Sequence, residues 1–103
     1  MLRTLVLAIA FAAAQNSPPA RAESTPPVVM YATSWCPYCA KARAYFARSG
    51  IAYVEHDVEK SANASAEFKR LGGRGVPLIV VGREQMDGFS EVAFEFLMAR
   101  ATR

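Results

Sequence analysis

Both cysteines of the chain fall in one five-residue stretch, Trp35-Cys36-Pro37-Tyr38-Cys39. If a helix starts at Pro37, the two-residue gap puts both sulfurs on its first turn, close enough to close a small disulfide ring. Proline suits the first helical position, because its missing N–H would have had no intrahelical partner there. Cys36 then becomes the N-cap, where free backbone N–H groups and the positive end of the helix dipole favour an anion. A thiolate is such an anion, and C-x-x-C motifs at helix starts are a recurring setting for reactive cysteines. Cys36 therefore reads as the nucleophile. Cys39, one turn in and less exposed, reads as the resolving thiol. A structural staple is the competing reading, but a bridge across two residues closes a tiny loop and constrains the unfolded chain little.

At 103 residues the chain is one domain, with its first stretch set apart. Met1-Leu2-Arg3 brings a positive charge, Leu5 to Ala14 is apolar and alanine-rich, and Ala20-Arg21-Ala22 has the small-x-small pattern of a secretory cleavage site. Residues 1–22 are thus expected to be a secretory signal, 23–27 a flexible lead-in, and 28–103 the folded domain. An uncleaved anchor is the alternative, yet the apolar run is shorter than the ~20 residues that a spanning helix requires. Loss of Arg3 and Arg21 would remove two positive charges from the formal net +3, leaving a nearly neutral domain. No basic stripe remains that would suit nucleic acid. The expected location is the periplasm or another exported compartment, where disulfide chemistry is permitted.

Along the domain, Val28 to Ala32 reads as a strand buried on both faces. A helix follows from Pro37 to Ser49, with Cys39, Ala42 and Phe46 on one face and Lys41 and Arg48 on another; Gly50 stops it. Ile51 to Asp57 alternates and reads as a second strand. Helical signals return over 61–71 and close at Gly72-Gly73. Pro77 to Val81 is a third strand, Gly82-Arg83 a tight turn, and Glu84 to Met86 a short fourth strand. Ser90 caps a last helix reaching about Arg100, with Val92, Ala93, Phe96 and Leu97 on one face and Phe94 and Met98 on another. The order β-α-β-α-β-β-α predicts an α/β layer fold with helices packed on a mixed sheet.

Three segments together resemble the glutaredoxin family. Residues 28–50, VVMYATSWCPYCAKARAYFARSG, resemble the start of a glutaredoxin, with the Cys-Pro-Tyr-Cys form of its dithiol site. Residues 72–82, GGRGVPLIVVG, are similar to the segment in which the family carries Gly-Gly-Arg-Thr-Val-Pro before a central strand. Residues 86–91, MDGFSE, stand where the family has a Gly-Gly-aromatic-Ser/Asp-Asp loop. The resemblance implies a thioredoxin-like fold and a thiol–disulfide oxidoreductase. The same resemblance implies glutathione as co-substrate, no bound cofactor, and protein disulfides or glutathione mixed disulfides as partners.

Carried onto this sequence, the resemblance gives Cys36 the attack and Cys39 the resolution. Tyr38 lines the groove, and Val76-Pro77 holds a cis peptide facing the cysteines. Gly88, Ser90 and Glu91 match the loop and helix start that take the γ-glutamyl end of glutathione, with Ser90 capping the helix and Glu91 accepting from the α-ammonium. Thr33 stands where dithiol members usually carry lysine, Gly75 where they have threonine, and Asp87 where the first glycine of the pair would be. Arg74 is expected to replace part of the missing positive charge, with Lys69 and Arg70 within reach of the glycine carboxylate of glutathione that the lysine pairs with in the family.

The remaining residues read more plainly. Trp35 is expected on the rim of the site as a partner contact, and His56, the one histidine, as a solvent-facing strand residue. A binding module is the alternative function class: two thiolates gripping Cu(I) or Zn(II), helped by Met30 or Met86. Two cysteines without a further ligand make an incomplete zinc site, which leaves thiol exchange in front. The expected protein is a monomer with no membrane contact once the leader is removed.

Overall fold

The computed structural model describes residues 26–103. The leader expected over 1–22 and most of the lead-in lie outside the described residues. The elements are β1 (Val28–Ala32), α1 (Pro37–Arg48), β2 (Val54–Asp57), α2 (Ala62–Arg70), β3 (Leu78–Val81), β4 (Glu84–Asp87) and α3 (Glu91–Ala101). The sheet order is β2-β1-β3-β4, with β1 parallel to β2 and antiparallel to β3, which is itself antiparallel to β4. This is the mixed-sheet α/β fold expected from the element order.

Side chains alternate across β1. Val28, Met30 and Ala32 enter a core with Cys39, Ala42, Tyr45 and Phe46 of α1, Ile79 and Val81 of β3, and Phe94 and Leu97 of α3. Tyr31 takes the opposite face, against Phe68 of α2 and His56 of β2. His56 is therefore half-buried under a tyrosine ring rather than facing solvent. Among the described residues no helix is long and apolar enough to cross a membrane.

The ends of α1 follow from the sequence. Gly50 adopts φ +67°, which a side chain would strain. There its N–H reaches Ala47 O at 3.4 Å, while the Ile51 N–H reaches Phe46 O at 2.9 Å. That closure turns Ile51 and Tyr53 back onto the core, with the Tyr53 ring 4.7 Å from Phe46. The second strand consequently starts at Val54, later than the alternation over 51–57 predicts. The α3 faces also differ from expectation. Phe94 and Leu97 are buried and Met98 and Ala101 pack against the core, a stripe spaced i, i+3, i+4, i+7. Val92 and Phe96 fall off that stripe and are each 63% exposed. At the other end of β1, the Gly82 N–H donates to Pro27 O at 3.4 Å, so the ladder starts within the lead-in.

Candidate active site

Cys36 sits at the end of the loop that leaves the buried β1 strand, as the N-cap of α1, with Pro37 in the first turn. Its backbone is extended (φ −76°, ψ 120°), and its Sγ accepts from the Cys39 N–H at 3.1 Å. A sulfur that holds an amide donor at the positive end of a helix is placed for negative charge. Both cysteines are free thiols and both are buried, Cys36 at 4% and Cys39 at 0% exposure. Burial, foremost, and the neighbouring Cys36 push the Cys39 thiol up from its ordinary value. A backbone hydrogen bond from Thr33 and the positive charge of Arg43 pull the other way. The pair is thus asymmetric: one sulfur faces the helix start, and the other stays protonated beneath it.

Opposite the sulfurs lies Val76. The Val76–Pro77 peptide is cis, as the resemblance implied. Cys36 Sγ lies 3.7 Å from Val76 O. The Gly88 N–H donates to Pro77 O at 2.8 Å, which fastens the loop before α3 to the segment facing the nucleophile. Gly88 has φ +78°, and a Cβ there would meet open space, so the turn itself requires glycine rather than any close neighbour. Arg74, Gly75, Val76, Asp87 and Gly88 line one open depression.

A second depression is lined by Tyr38, Lys41, Arg48, Phe89, Ser90 and Glu91, among others. The expected trio of Gly88, Ser90 and Glu91 is therefore divided between two hollows. Ser90 Oγ accepts from the Ala93 N–H at 3.1 Å as the α3 cap. The Glu91 carboxylate is engaged by Arg48 in an exposed ion pair through one of its two oxygens. Tyr38 is 54% exposed, with the Lys41 ammonium 4.8 Å from its ring centre. Trp35 is 65% exposed on the rim, and its indole N–H donates to the Glu59 carboxylate at 3.0 Å.

Sequence reasoning missed Arg43 and Glu55. Arg43 Nη2 donates to Thr33 O at 3.0 Å and pairs with Glu55 at 2.7 Å. The available signal was its position four residues after Cys39, on the same side of the helix. Met30 and Met86, named for a soft-metal site, are respectively buried in the core and packed against it. Among the described residues no group of three or more His, Cys, Asp or Glu side chains gathers.

A family model described as Glutaredoxin matches residues 28–86. A glutaredoxin of Pseudomonas aeruginosa is 35% identical over 68 residues, covering 65% of this chain and 81% of that protein. One of Neisseria meningitidis serogroup B is 36% identical over 67 residues, covering 63% and 79%. Among solved structures, a glutaredoxin from Archaeoglobus fulgidus superposes with a TM-score of 0.61 at 20% identity, covering 81% of this chain and 97% of that one. A buckwheat glutaredoxin–glutathione complex gives 0.58 at 19%, covering 75% and 76%. The two structures speak for the fold, the sequence relatives for descent. The chain belongs to the glutaredoxin family, thiol–disulfide oxidoreductases built on a thioredoxin-like fold.

Proposed function

We propose that the protein is a dithiol glutaredoxin of an exported compartment, reducing disulfides through Cys36 and Cys39 with glutathione as co-substrate. The observation that carries this is the Cys36 sulfur held by the Cys39 N–H at 3.1 Å, with the second thiol one turn below. Cys36 attacks a substrate disulfide; a mixed disulfide forms and one substrate thiolate leaves. Cys39 then loses its proton and attacks the Cys36 sulfur, releasing the second thiolate and leaving the Cys36–Cys39 disulfide. Two electrons pass to the substrate, and two glutathione thiols restore the pair. The Val76 backbone beside Cys36 supports docking of an extended peptide, while Arg74 and Gly88 beside Val76 support an anionic tripeptide. Asp87 is the carboxylate that lines the first hollow, and Glu91 the one that lines the second, where it pairs with Arg48.

The test is equilibration in graded glutathione buffers, with acid quenching and mass measurement. Wild type passes to an internal disulfide, and Cys39→Ser accumulates one glutathione on Cys36. A Cys36→Ser protein that still reduces a protein disulfide at the wild-type rate refutes the assignment. Export is tested separately by sequencing the mature N-terminus, which begins at Glu23 if cleavage follows Ala22.

A further inference from the structure

We propose that Arg43 is a positioning residue for the resolving half of the exchange, holding the loop against the Cys39 sulfur and supplying positive charge as that sulfur attacks. The proposal rests on the dithiol reading above. Arg43 follows Cys39 by four residues, so the two share one side of α1. Its Nη2 donates to Thr33 O at 3.0 Å, and its Nε donates to both Glu55 oxygens at 3.0 Å. Thr33 is only 2% exposed and occupies the first position after β1. Its backbone N–H draws the Cys39 thiol towards the thiolate. One loop residue thus offers its N–H to the resolving thiol and its carbonyl to Arg43, while Glu55 anchors the guanidinium to β2.

The charge balance explains why the second step needs help. Attack by Cys36 starts from a sulfur at the helix start. Resolution starts from a sulfur that burial and Cys36 hold protonated. The groups opposing that are the Thr33 N–H and the Arg43 cation, whose own neighbours are Glu55 and Tyr53. Cys39 gives its proton to solvent and forms its bond to the Cys36 sulfur; the substrate sulfur departs with the electron pair of the broken bond and takes up a proton from solvent, so no net proton is gained or lost. The guanidinium stabilises the transient anion. It keeps its own proton throughout.

Rapid mixing of reduced protein with increasing glutathione disulfide separates the steps. Attack is first order in the disulfide and sets the initial slope, whereas resolution is independent of it and sets the plateau. For Arg43→Met the Cys39 thiolate fraction falls and the plateau drops; each ~tenfold fall in that fraction, partly offset by the greater nucleophilicity of a more basic sulfur, slows resolution about threefold. The slope stays at the wild-type value, and Arg43→Lys, which keeps the charge, holds a plateau above that of Arg43→Met. Equal plateaus for wild type and Arg43→Met overturn the proposal. A parallel fall in slope and plateau does so too, as does Arg43→Lys no faster than Arg43→Met. If Arg43→Met does not fold by circular dichroism, Arg43→Gln serves as the neutral variant. Failure of the dithiol reading shows in the wild type alone, as a rate that rises with the disulfide and reaches no plateau.

Discussion

Tyr31 offers a quantitative test of how the second face of the sheet is held. Its phenol donates to Glu67 Oε1 at 2.7 Å, joining β1 to α2. Burial first, then the hydrogen bond and charge of Glu67, push it from the ordinary 10.0 up to about 12, with Arg70 opposing. The folded value lies above the unfolded one, so the stabilisation is whole below pH 10 and is lost as pH climbs towards 12. The gap from 10.0 to about 12 corresponds to roughly 3 kcal/mol. Tyr31→Phe keeps the ring and removes both the hydrogen bond and the titration; at neutral pH it costs about 2 kcal/mol, as for a bond to a carboxylate. Urea unfolding of both proteins under reducing conditions, from pH 7 to 11.5, gives the difference between them. Changes in other tyrosines, lysines and thiols are common to both and cancel. The wild-type advantage should stay level to about pH 9.5, then shrink by about 1.4 kcal/mol per pH unit. A difference that stays flat to pH 11.5 would refute the reasoning.

Three further outcomes are expected. In the reduced protein, iodoacetamide modifies Cys36 before Cys39, because burial and Cys36 keep the second thiol protonated; peptide mapping showing equal rates would contradict this. Phe46, fully buried between Tyr53 and Phe94, should cost about 3–5 kcal/mol when replaced by alanine, and a loss below about 1.5 kcal/mol in urea titration would show the core collapsing around it. Ser90→Ala removes the cap bond to the Ala93 N–H; about 1 kcal/mol is expected, read as a lower melting temperature.

The sequence is most legible where local chemistry decides. Proline after Cys36 and serine at 90 mark two helix starts, and both caps form as expected; Ser61 caps the remaining helix in the same way. Gly50 and Gly72 mark the stops, both with positive φ. Legibility fails where contacts come from elsewhere in the chain. The pairing of Glu91 with Arg48 joins α3 to α1 across 43 residues, and nothing near either one announces it. Arg43 and Glu55 are likewise joined only once β2 lies beside β1. The last helix misleads for another reason: being apolar nearly all round, it leaves its inward stripe to be chosen by the neighbours it packs on. The dithiol is readable because both its sulfurs and the cap belong to one turn, whereas the two hollows beside it are assembled from three separate segments.

The bond between Pro27 and Gly82 fixes where anything attached ahead of the domain must emerge. Val28 begins the strand whose far end leads into the Cys36 loop. Five extended residues span about 17 Å, so a graft at the start of β1 leaves on the opposite side from the sulfurs. An enzyme tethered there, to a surface or to another protein, would keep its reactive end turned outward, open to clients as bulky as folded proteins.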